Sequence, residues 1–577
     1  MNKKMNKKLN MKHKYHQPTL TPLLAALSLA LPVAFTPLAA QAAGAQPDVG
    51  TLLQQVQPAT PSAPASGATG LTIERADGAK LPPSAPFEVK SIRLSGNTLF
   101  DTATLQALVA DVPGTSLSLA QLGEVAARIT TYYQSHGYPL ARALIPAQTI
   151  QGGAVSIDIV EARYGQINLD NQSRVQSSLL QDTLASLQGG QVIAQAPMDH
   201  ALLLLSDVPG VQVSATLKPG EAVGSSDLLV GTTAGPAITG NAVLDNYGNS
   251  YTGRPRIGAS VNVINPMQHG DVLSVSGLSS GANMNYARLG YDTLLNGQGT
   301  HLGGAWSALG YTLGEPLAAL NANGTAQVQS LWAKQPLKRS RAANIYGQLQ
   351  YDALQLRDHV DASALKTDRS LENWTLSLSG DTRDELLFGG INSWSLGWTQ
   401  GRVGFDNAAA QLADAATAKT QGLFTKWNLS LSRLQGLNAA NTLYLAFSSQ
   451  SAGGNLDSSQ KMGAGGPYTV RAYDVGAVSG DSGYFVSAEY RRELGSAWGG
   501  QWQAVAFIDS ASVTVNRNPW VAGENTASLS GAGVGLNWNG PQQWSAKTYI
   551  AKPVGSVPVL VGNTNSARAW VEVARRF

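Results

Sequence analysis

Residues 427–432 read Trp-Asn-Leu-Ser-Leu-Ser, with an aromatic residue at one end and apolar residues at alternate positions. Residues 374–379 and 393–399 show the same alternation. A period of two predicts β-strands whose two faces meet different surroundings. Apolar faces with aromatic ends are typical of strands in a transmembrane barrel, whose polar side chains face a wet lumen. A soluble β-sandwich is the alternative, but its core would rarely place tryptophan repeatedly at strand ends.

This alternating texture extends from about Pro236 to Phe577, so we predict that residues 236–577 form the barrel. A membrane-crossing strand needs roughly 9–11 residues. The 342 residues of the tract accommodate sixteen strands with loops, although twelve or eighteen would also fit. The last segment, residues 570–577, is amphipathic and ends in the aromatic Phe577.

The composition is consistent with a membrane barrel. Only 13% of the 577 residues are charged, whereas about 25% is usual for soluble domains, and there is no cysteine. The lysine-rich start, the apolar stretch 20–35 and Ala40-Gln41-Ala42 predict a signal peptide over residues 1–42. Its removal changes the formal net charge from +3 to −3, so the basic balance gives no indication of nucleic-acid binding.

Between the expected leader and the barrel, the sequence predicts a linker and two small αβ units. Residues 43–86 contain a possible short helix at Asp48–Gln57, followed by a Pro/Ala/Ser-rich stretch. Residues 87–162 predict a β-α-α-β-β unit with a helix that begins in a Ser118/Gln121 capping box. Its two final strands are expected at 140–150 and 154–162. Residues 163–235 repeat the same order, which predicts a tandem repeat.

The order of these segments and one motif resemble a known family. The two αβ units resemble POTRA domains, and the whole arrangement resembles the TpsB transporters of two-partner secretion, which include haemolysin-activation and adhesin-secretion proteins. In that family the sixth extracellular loop carries Gly-Gly-x-x-x-Val-Arg-Gly-Tyr/Phe, followed by a Gly-Asp-x-Gly strand entry and a Phe-x-Asp-x-Gly strand. The matching residues here are Gly465, Gly466, Val470, Arg471, Tyr473, Gly480, Asp481, Gly483, Phe507 and Asp509.

The resemblance implies a 16-stranded antiparallel barrel in the outer membrane, preceded by two periplasmic POTRA domains. It also implies that Arg471 and Asp509 latch the loop tip to the inner wall, which suits a guanidinium and a carboxylate that can pair in a bidentate manner. Two residues depart from the family pattern, because Ala472 and Ala511 replace glycines. Alanine is the least disruptive replacement for glycine, so we expect the loop tip to dock on the wall in a shifted geometry.

Function and partners also follow from the resemblance. It implies that the POTRA units capture an unfolded TpsA-type exoprotein, haemolysin-like or adhesin-like, which passes through the barrel without nucleotide. POTRA sheets have edges that can accept an extended peptide as an added strand. The helix at Asp48–Gln57 would plug the resting pore, and Phe577 resembles the signal read by the outer-membrane assembly machinery. The lipid bilayer is the remaining expected partner.

Two other functions of barrel proteins fit these residues less well than export does. A BamA-like assembly factor shares the POTRA units and the loop motif, but two POTRA units and the Gly-Asp-x-Gly entry favour export. A passive porin would not need POTRA units. We expect no enzyme, cofactor or metal site: Gly277–Gly281 matches Gly-x-Ser-x-Gly outside its strand-turn-helix setting, and the seven histidines lack ligand spacing.

Overall fold

The computed structural model of the protein describes residues 47–56, 70–74, 83–562 and 566–577. The expected signal peptide and the Pro/Ala/Ser-rich stretch of the linker lie outside the described residues. The described part begins with helix α1 (Val49–Val56) and strand β1 (Gly70–Ile73). Among the described helices, none is long and apolar enough to cross a bilayer.

The first αβ unit is a small three-stranded sheet packed on two helices. Its elements are β2 (Phe87–Val89), β3 (Ser91–Ser95), α2 (Thr102–Ala107), β4 (Thr115–Leu117), α3 (Leu119–Ser135), β5 (Arg142–Leu144) and β6 (Ala154–Val160). The sheet order is β3-β6-β5, and β2 pairs with β4 in a separate ribbon. The predicted capping box is present at the start of α3, with Ser118 and Gln121 bonding reciprocally.

The prediction of a strand at 140–150 was wrong for most of its length, since only Arg142–Leu144 is a strand. Pro146 interrupts the segment and has no N–H to give to a ladder. The side chain of Gln148 takes over at this point: its Nε2 donates to Ser156 O and its Oε1 accepts from Ser156 N, both at 2.8 Å. A side-chain amide therefore replaces the backbone pairing that alternation alone predicted.

The second unit repeats the order and carries one additional strand. It comprises β7 (Arg163–Gln172), α4 (Ser177–Leu184), α5 (Gln195–Asp207), β8 (Val211–Pro219) and β9 (Ser225–Ala234). Its sheet order is β1-β8-β9-β7, so the linker strand β1 belongs to this sheet. The linker sequence gave no prediction of this strand.

The rest of the chain forms a closed antiparallel barrel of sixteen strands, which confirms the predicted fold class. Its first half is β10 (Ile238–Asp245), β11 (Arg256–Ile264), β12 (Val272–Ser279), β13 (Met284–Leu294), β14 (His301–Thr312), β15 (Ala322–Arg339), β16 (Ala343–Val360) and β17 (Leu365–Asp384). There follow β18 (Gly390–Phe405), α6 (Ala408–Ala416), β19 (Gly422–Asn438), β20 (Asn441–Ala452), and the loop hairpin β21 (Met462–Ala464) and β22 (Val478–Gly480). The barrel closes with β23 (Ser482–Ala497), β24 (Gly500–Thr514), β25 (Thr526–Asn539), β26 (Trp544–Pro553) and β27 (Arg568–Arg576). Five 3₁₀ turns are described, at Ala318–Leu320, Asp361–Ser363, Ser458–Gln460, Pro541–Gln543 and Val559–Val561.

The alternation sorts side chains between the outside and the lumen as predicted. Trp374 and Leu376 are exposed on the outer face, where lipid would cover them. Thr375, between them, points inward and hydrogen-bonds across the register pair to Thr399 Oγ1 at 3.0 Å. At this place the lumen face of the strands therefore carries small polar groups, which can contact water and polar chain segments.

The second unit is fastened to the barrel turns at the end where β10 begins. Arg339, at the end of β15, forms a bidentate pair with Asp207 at 2.6 and 2.8 Å, and its guanidinium is almost fully buried. Arg341 pairs with Asp199 at 2.7 Å. These contacts place the end of α5 at the mouth of the lumen.

Candidate functional site: the occupied barrel lumen

The loop of residues 453–481, between β20 and β23, enters the lumen and is anchored there by Arg471. Its Nε and Nη2 donate to Oδ2 and Oδ1 of Asp509 on β24, at 2.8 and 2.7 Å. The main-chain N–H of Arg471 donates to the same carboxylate at 3.2 Å. Both side chains are buried. The structure thus brings together the two residues predicted to form the latch, and the pairing is bidentate, which fixes orientation as well as distance.

Further groups complete this anchor. Arg471 Nη1 donates to Glu489 Oε1 at 2.6 Å, and Arg491 pairs with the other oxygen of Glu489 at 2.5 Å. The Arg471 guanidinium carbon lies 3.4 Å from the centre of the Phe507 ring, a stacking contact that arginine makes favourably. Trp570 on the last strand donates from Nε1 to Arg471 O at 2.7 Å.

The sequence pointed to only part of this set. Ser487 is the register partner of Asp509, and Glu489 lies two residues further along the same strand, hence on the same face. Ser487 faces the same side of the sheet as Asp509, and so does Glu489 two residues later. The alternation of strand faces could therefore have identified Glu489. No local signal links Trp570 to the loop, because 99 residues separate it from Arg471.

The double glycine forms the sharp turn that leads to the tip. Gly465 and Gly466 have φ angles of 101° and 104°, which side-chain-bearing residues rarely adopt. Gly465 N donates to Thr469 Oγ1 at 2.8 Å, and Gly466 N donates to Tyr473 O at 3.1 Å. Val470 and Tyr473 are fully buried in an apolar cluster with wall residues of β24 and β25. The motif residues therefore shape the turn and bury the tip.

The Gly-Asp-x-Gly entry closes the loop onto the barrel rim. Asp481 is fully buried and accepts from the main-chain N–H of Leu456 at 3.0 Å and of Arg517 at 2.7 Å. A Cβ at Gly480 or Gly483 would lie 2.2 or 2.5 Å from a carbonyl oxygen of β24. The glycines permit close approach of the strands, and the aspartate ties together neighbouring loops.

The two departures from the family motif are accommodated by neighbours. Ala472 is fully buried, and its methyl group occupies the place where a Cβ on Gly531 would lie, 2.4 Å away. Gly531 is the register partner of Asp509. The alanine in the loop is therefore matched by a glycine in the wall at the latch itself. Ala511 is also buried, within the same apolar cluster.

Helix α1 lies inside the barrel beside this loop, where the sequence placed a possible plug. Asp48 caps the helix by accepting from Thr51 N at 3.0 Å. Val49, Leu52 and Leu53 are buried against inward-facing residues of the wall. Gln54 Nε2 donates to the carbonyls of Ser458 and Lys461 in the loop, at 3.0 and 2.6 Å. The helix is thus held by the wall and by the loop together.

A buried arginine of the wall, Arg369 on β17, holds the start of α1. It pairs with Asp48 at 2.7 Å, with Asp358 at 2.9 Å and with Asp457 at 2.5 Å. Asp358 also accepts from Val49 N at 2.8 Å. Burial raises the pKa of a carboxyl group, yet Arg369 and the hydroxyl of Ser458 hold the pKa of Asp48 below its ordinary value. Asp48 is therefore charged and ion-paired.

Among the described residues, two cavities of about 1090 and 1060 Å³ lie in the lumen beside the loop and the helix. Gln54 lines both, so the helix lies between them. The first cavity reaches Leu204 and Asp207 at the end of α5. A barrel of sixteen strands is wide enough for an aqueous channel, and here two segments of the chain fill its middle.

The terminal residue, the predicted assembly signal, lies on the seam that closes the barrel. Phe577 N donates to Gly240 O at 3.0 Å and its carbonyl accepts from Gly240 N at 2.9 Å. These bonds extend the pairing of β10 with β27, and the ring is more than half exposed.

Comparison with known proteins agrees with this architecture. The model of the family described as haemolysin secretion/activation protein ShlB/FhaC/HecB matches residues 224–538, and that of the ShlB-type POTRA domain matches residues 87–162. The chain belongs to the ShlB/FhaC/HecB family. The family consists of outer-membrane transporters that act with secreted exoprotein partners. The barrel accordingly lies in the outer membrane and the POTRA units in the periplasm.

Relatives within the ShlB/FhaC/HecB family match along most of the chain. The heme/hemopexin transporter protein HuxB of Haemophilus influenzae is 26% identical over 544 residues, which cover 92% of this chain and 95% of the relative. The outer membrane transporter CdiB of Dickeya dadantii is 23% identical over 84% of each chain.

Solved structures resemble the fold. CdiB from Escherichia coli superposes with a TM-score of 0.66 at 21% identity, over 87% of this chain and 92% of CdiB. BamA from Haemophilus ducreyi lacking POTRA domains 1–3 gives 0.52 at 14% identity, over 85% of this chain and all of that one. The assembly-factor alternative is less supported, because the likeness to BamA concerns the fold alone.

Proposed function

We propose that this protein captures an unfolded TpsA-type exoprotein in the periplasm and translocates it through its barrel to the cell surface. The observation that carries the proposal is the occupied lumen: a pore of sixteen strands holds an anchored loop tip and a capped helix, with a POTRA unit fastened at its entrance. Such an arrangement suits a pore that opens for a particular exoprotein.

The latch and the plug have separate roles in this proposal. The Arg471–Asp509 pair keeps the loop tip at a fixed position on the wall, so that the passage beside it has a defined shape. Helix α1 fills the space next to the loop and must leave before an extended chain can pass. No nucleotide-binding motif occurs in the sequence, so we propose that export proceeds without nucleotide. Folding of the exoprotein outside the cell would then oppose its return.

We also propose that the chain is not an enzyme and that its partner is haemolysin-like or adhesin-like. In the lumen, the buried guanidinium groups of Arg369 and Arg471 are engaged in holding the helix and the loop. Because HuxB is named a heme/hemopexin transporter, a partner that handles heme or hemopexin belongs among the exoproteins to test. Phe577 is proposed to act as the signal for the assembly machinery, since its backbone completes the closing seam.

An export assay tests the proposal. The genes beside that of this chain are searched for a large secreted protein of the TpsA type. That exoprotein is produced in a host with and without the chain, and the culture medium is assayed for it. We expect the exoprotein in the medium only when the chain is present. If its location does not change, while other outer-membrane barrels fail to assemble without the chain, the assembly-factor alternative replaces export.

A further inference from the structure

One turn of the barrel, residues 385–389 between β17 and β18, presents three large apolar side chains to its surroundings. Leu386, Leu387 and Phe388 are 62, 67 and 66% exposed. Turns that face water are usually rich in glycine, asparagine and aspartate. Leu387 also has a φ angle of 56°, a left-handed conformation that leucine rarely adopts. The backbone therefore holds apolar side chains outward at a place where turns normally carry polar ones.

The turn lies at the periplasmic boundary of the bilayer. Arg383 N, at the end of β17, donates to Ala342 O at 2.8 Å, in the neighbouring turn whose Arg341 holds the second POTRA unit. From Trp374 to Asp384 the strand advances ten residues, which at a tilt of about 40° is about 26 Å of depth, against about 25 Å for the apolar band of such barrels. The turn therefore begins where the apolar band ends on the POTRA side.

A network of polar side chains fastens this turn to the wall. Arg433 on β19 forms a bidentate pair with Asp384 at 2.8 and 3.0 Å. It also donates to Asn392 Oδ1 at 2.6 Å and to Gln435 Oε1 at 3.0 Å. Gln435 in turn donates from Nε2 to Leu386 O at 2.8 Å. The network pairs one positive with one negative charge, so an apolar environment costs it less than it would an unpaired charge.

This network lies on the outer, lipid-facing side of the barrel. Asp384 is an even number of residues from the exposed Trp374 on the same strand, so the two share a face. Arg433 lies two residues from the exposed Leu431 and is the register partner of Leu445, which is exposed on β20. The turn is therefore tied to the side of the wall that carries apolar residues toward the bilayer.

A second turn at the same end of the barrel repeats the pattern. Trp498, between β23 and β24, is 86% exposed and has a φ angle of 51°. Its ring centre lies 5.5 Å from that of Trp502, which lies 6.3 Å from that of its register partner Trp538. Trp502 shares its face of β24 with the exposed Ile508. A row of tryptophans thus leads from the lipid-facing wall onto the turn, as is typical of a membrane interface.

We propose that the turn 385–389 inserts into the periplasmic leaflet of the outer membrane, with Trp498 as a second point of insertion. Phospholipid is the partner of this surface, because the surface continues the lipid-facing side of the wall. The polar network supports the turn from the wall while its apolar side chains contact acyl chains. Since the neighbouring turn holds the second POTRA unit, insertion also fixes the height of that unit relative to the membrane. This inference concerns the bilayer and does not depend on export.

Fluorescence quenching tests the insertion. The chain has no cysteine, so Phe388→Cys provides a single site for a fluorescent label. The labelled full chain is placed in nanodiscs of phosphatidylethanolamine and phosphatidylglycerol, with the quencher either on the lipid, as a nitroxide, or in water, as iodide. We expect nitroxide lipids to quench this label at least about threefold more than a label at Val223→Cys, and iodide to show the opposite order. Val223 is fully exposed and precedes Gly224, which lies against Val160 of the first POTRA unit.

Polar substitutions in the turn test the role of its apolar side chains. Leu387→Asn retains the left-handed backbone, which asparagine tolerates, and removes the apolar group. In the labelled Phe388→Cys chain, Leu386→Asn together with Leu387→Asn should lower quenching by nitroxide lipids at least about threefold. The matched control is Leu412→Asn, at a residue that is 71% exposed on α6, beyond the other end of the barrel. Quenching should not change in the control.

Three outcomes would overturn the inference. The first is equal quenching of the labels at positions 388 and 223 by iodide, with no quenching by nitroxide lipids. The second is protection of the position 388 label from iodide only after the exoprotein is added, because the exported chain and not lipid would then cover the turn. The third is unchanged lipid quenching in the Leu386→Asn/Leu387→Asn variant, because the apolar side chains would then have no part in holding the turn in the leaflet.

Discussion

The loop tip and helix α1 are both held inside the barrel by a buried arginine, but the charges are arranged in different ways. At the loop tip the arginine belongs to the inserted segment: Arg471, together with Arg491 of the wall, balances Asp509 and Glu489. At the helix the arginine belongs to the wall: Arg369 meets three carboxylates, and only Asp48 comes from the helix.

This difference indicates which segment can leave. Withdrawal of the loop tip would strand the fully buried Asp509 without a cation, and an unpaired buried charge is strongly destabilising. Withdrawal of α1 would leave Arg369 paired with Asp358 and Asp457, so the wall loses no necessary partner. The loop tip is therefore built to stay in place and the helix to depart.

The largest expected effect is that of Arg471→Ala, which removes the cation from the loop anchor. Breaking one side of a buried ion pair costs about 3–5 kcal/mol, so the loop tip should leave its position and export should fall at least about tenfold. Secretion at fixed barrel abundance measures this. Arg471→Lys should restore export only in part, because lysine cannot pair with a carboxylate in a bidentate manner.

The control for this prediction is Arg254→Ala in the same region. Arg254 pairs with Asp474 of the loop at 2.7 Å, but Asp474 keeps a second partner, Arg568, at 2.8 Å. Export should change little in this variant. Wild-type secretion by Arg471→Ala would show that the anchor has no part in transport.

A smaller effect is expected from Asp48→Ala, which removes both the helix cap and the ion pair with Arg369. Loss of a capping side chain alone costs about 0.5–2 kcal/mol, and loss of the ion pair adds to this cost, so α1 should leave the lumen more often and the pore should conduct more. Channel recordings in planar bilayers measure the conductance. Asp101→Ala removes the equivalent cap of α2, outside the barrel, and should leave conductance unchanged.

The structure of the barrel was predictable from its sequence, whereas the plug anchor was not. Alternation around Trp374 and Trp427 indicated strands with an outer apolar face, and the loop motif indicated the Arg471–Asp509 pair. Arg369 has no such signal, because Asp48 and Asp457, its partners outside the neighbouring strand, lie far away in the chain and outside any motif. Only the closed barrel brings them together.

Two local errors have a similar origin. Strand β1 was hidden in the linker because its pairing with β8 depends on residues about 140 positions away. The strand at 140–150 was overextended because Gln148 replaces backbone pairing with side-chain hydrogen bonds, which alternation does not reveal. Tertiary contacts decided both cases.

The smallest expected effect concerns the match between Ala472 and Gly531 at the loop anchor. Gly531→Ala forces two methyl groups together and should destabilise the docked loop by about 1–3 kcal/mol. Adding Ala472→Gly should restore the stability of the docked loop, because a single methyl group then lies between the two residues, carried by the wall instead of the loop. The temperature at which the folded barrel loses its compact electrophoretic mobility measures both variants. Equal temperatures for the single and double variants would contradict the match.

Translocation by the purified chain in liposomes tests export most directly. The unfolded exoprotein found to depend on this chain in the export assay is added on the POTRA side without nucleotide, and its protection from external protease is followed over time. We predict transport by the wild-type chain, and a rate at least about tenfold lower with Arg471→Ala at equal insertion. Full protease sensitivity of the exoprotein, with barrels inserted and folded, would contradict the account.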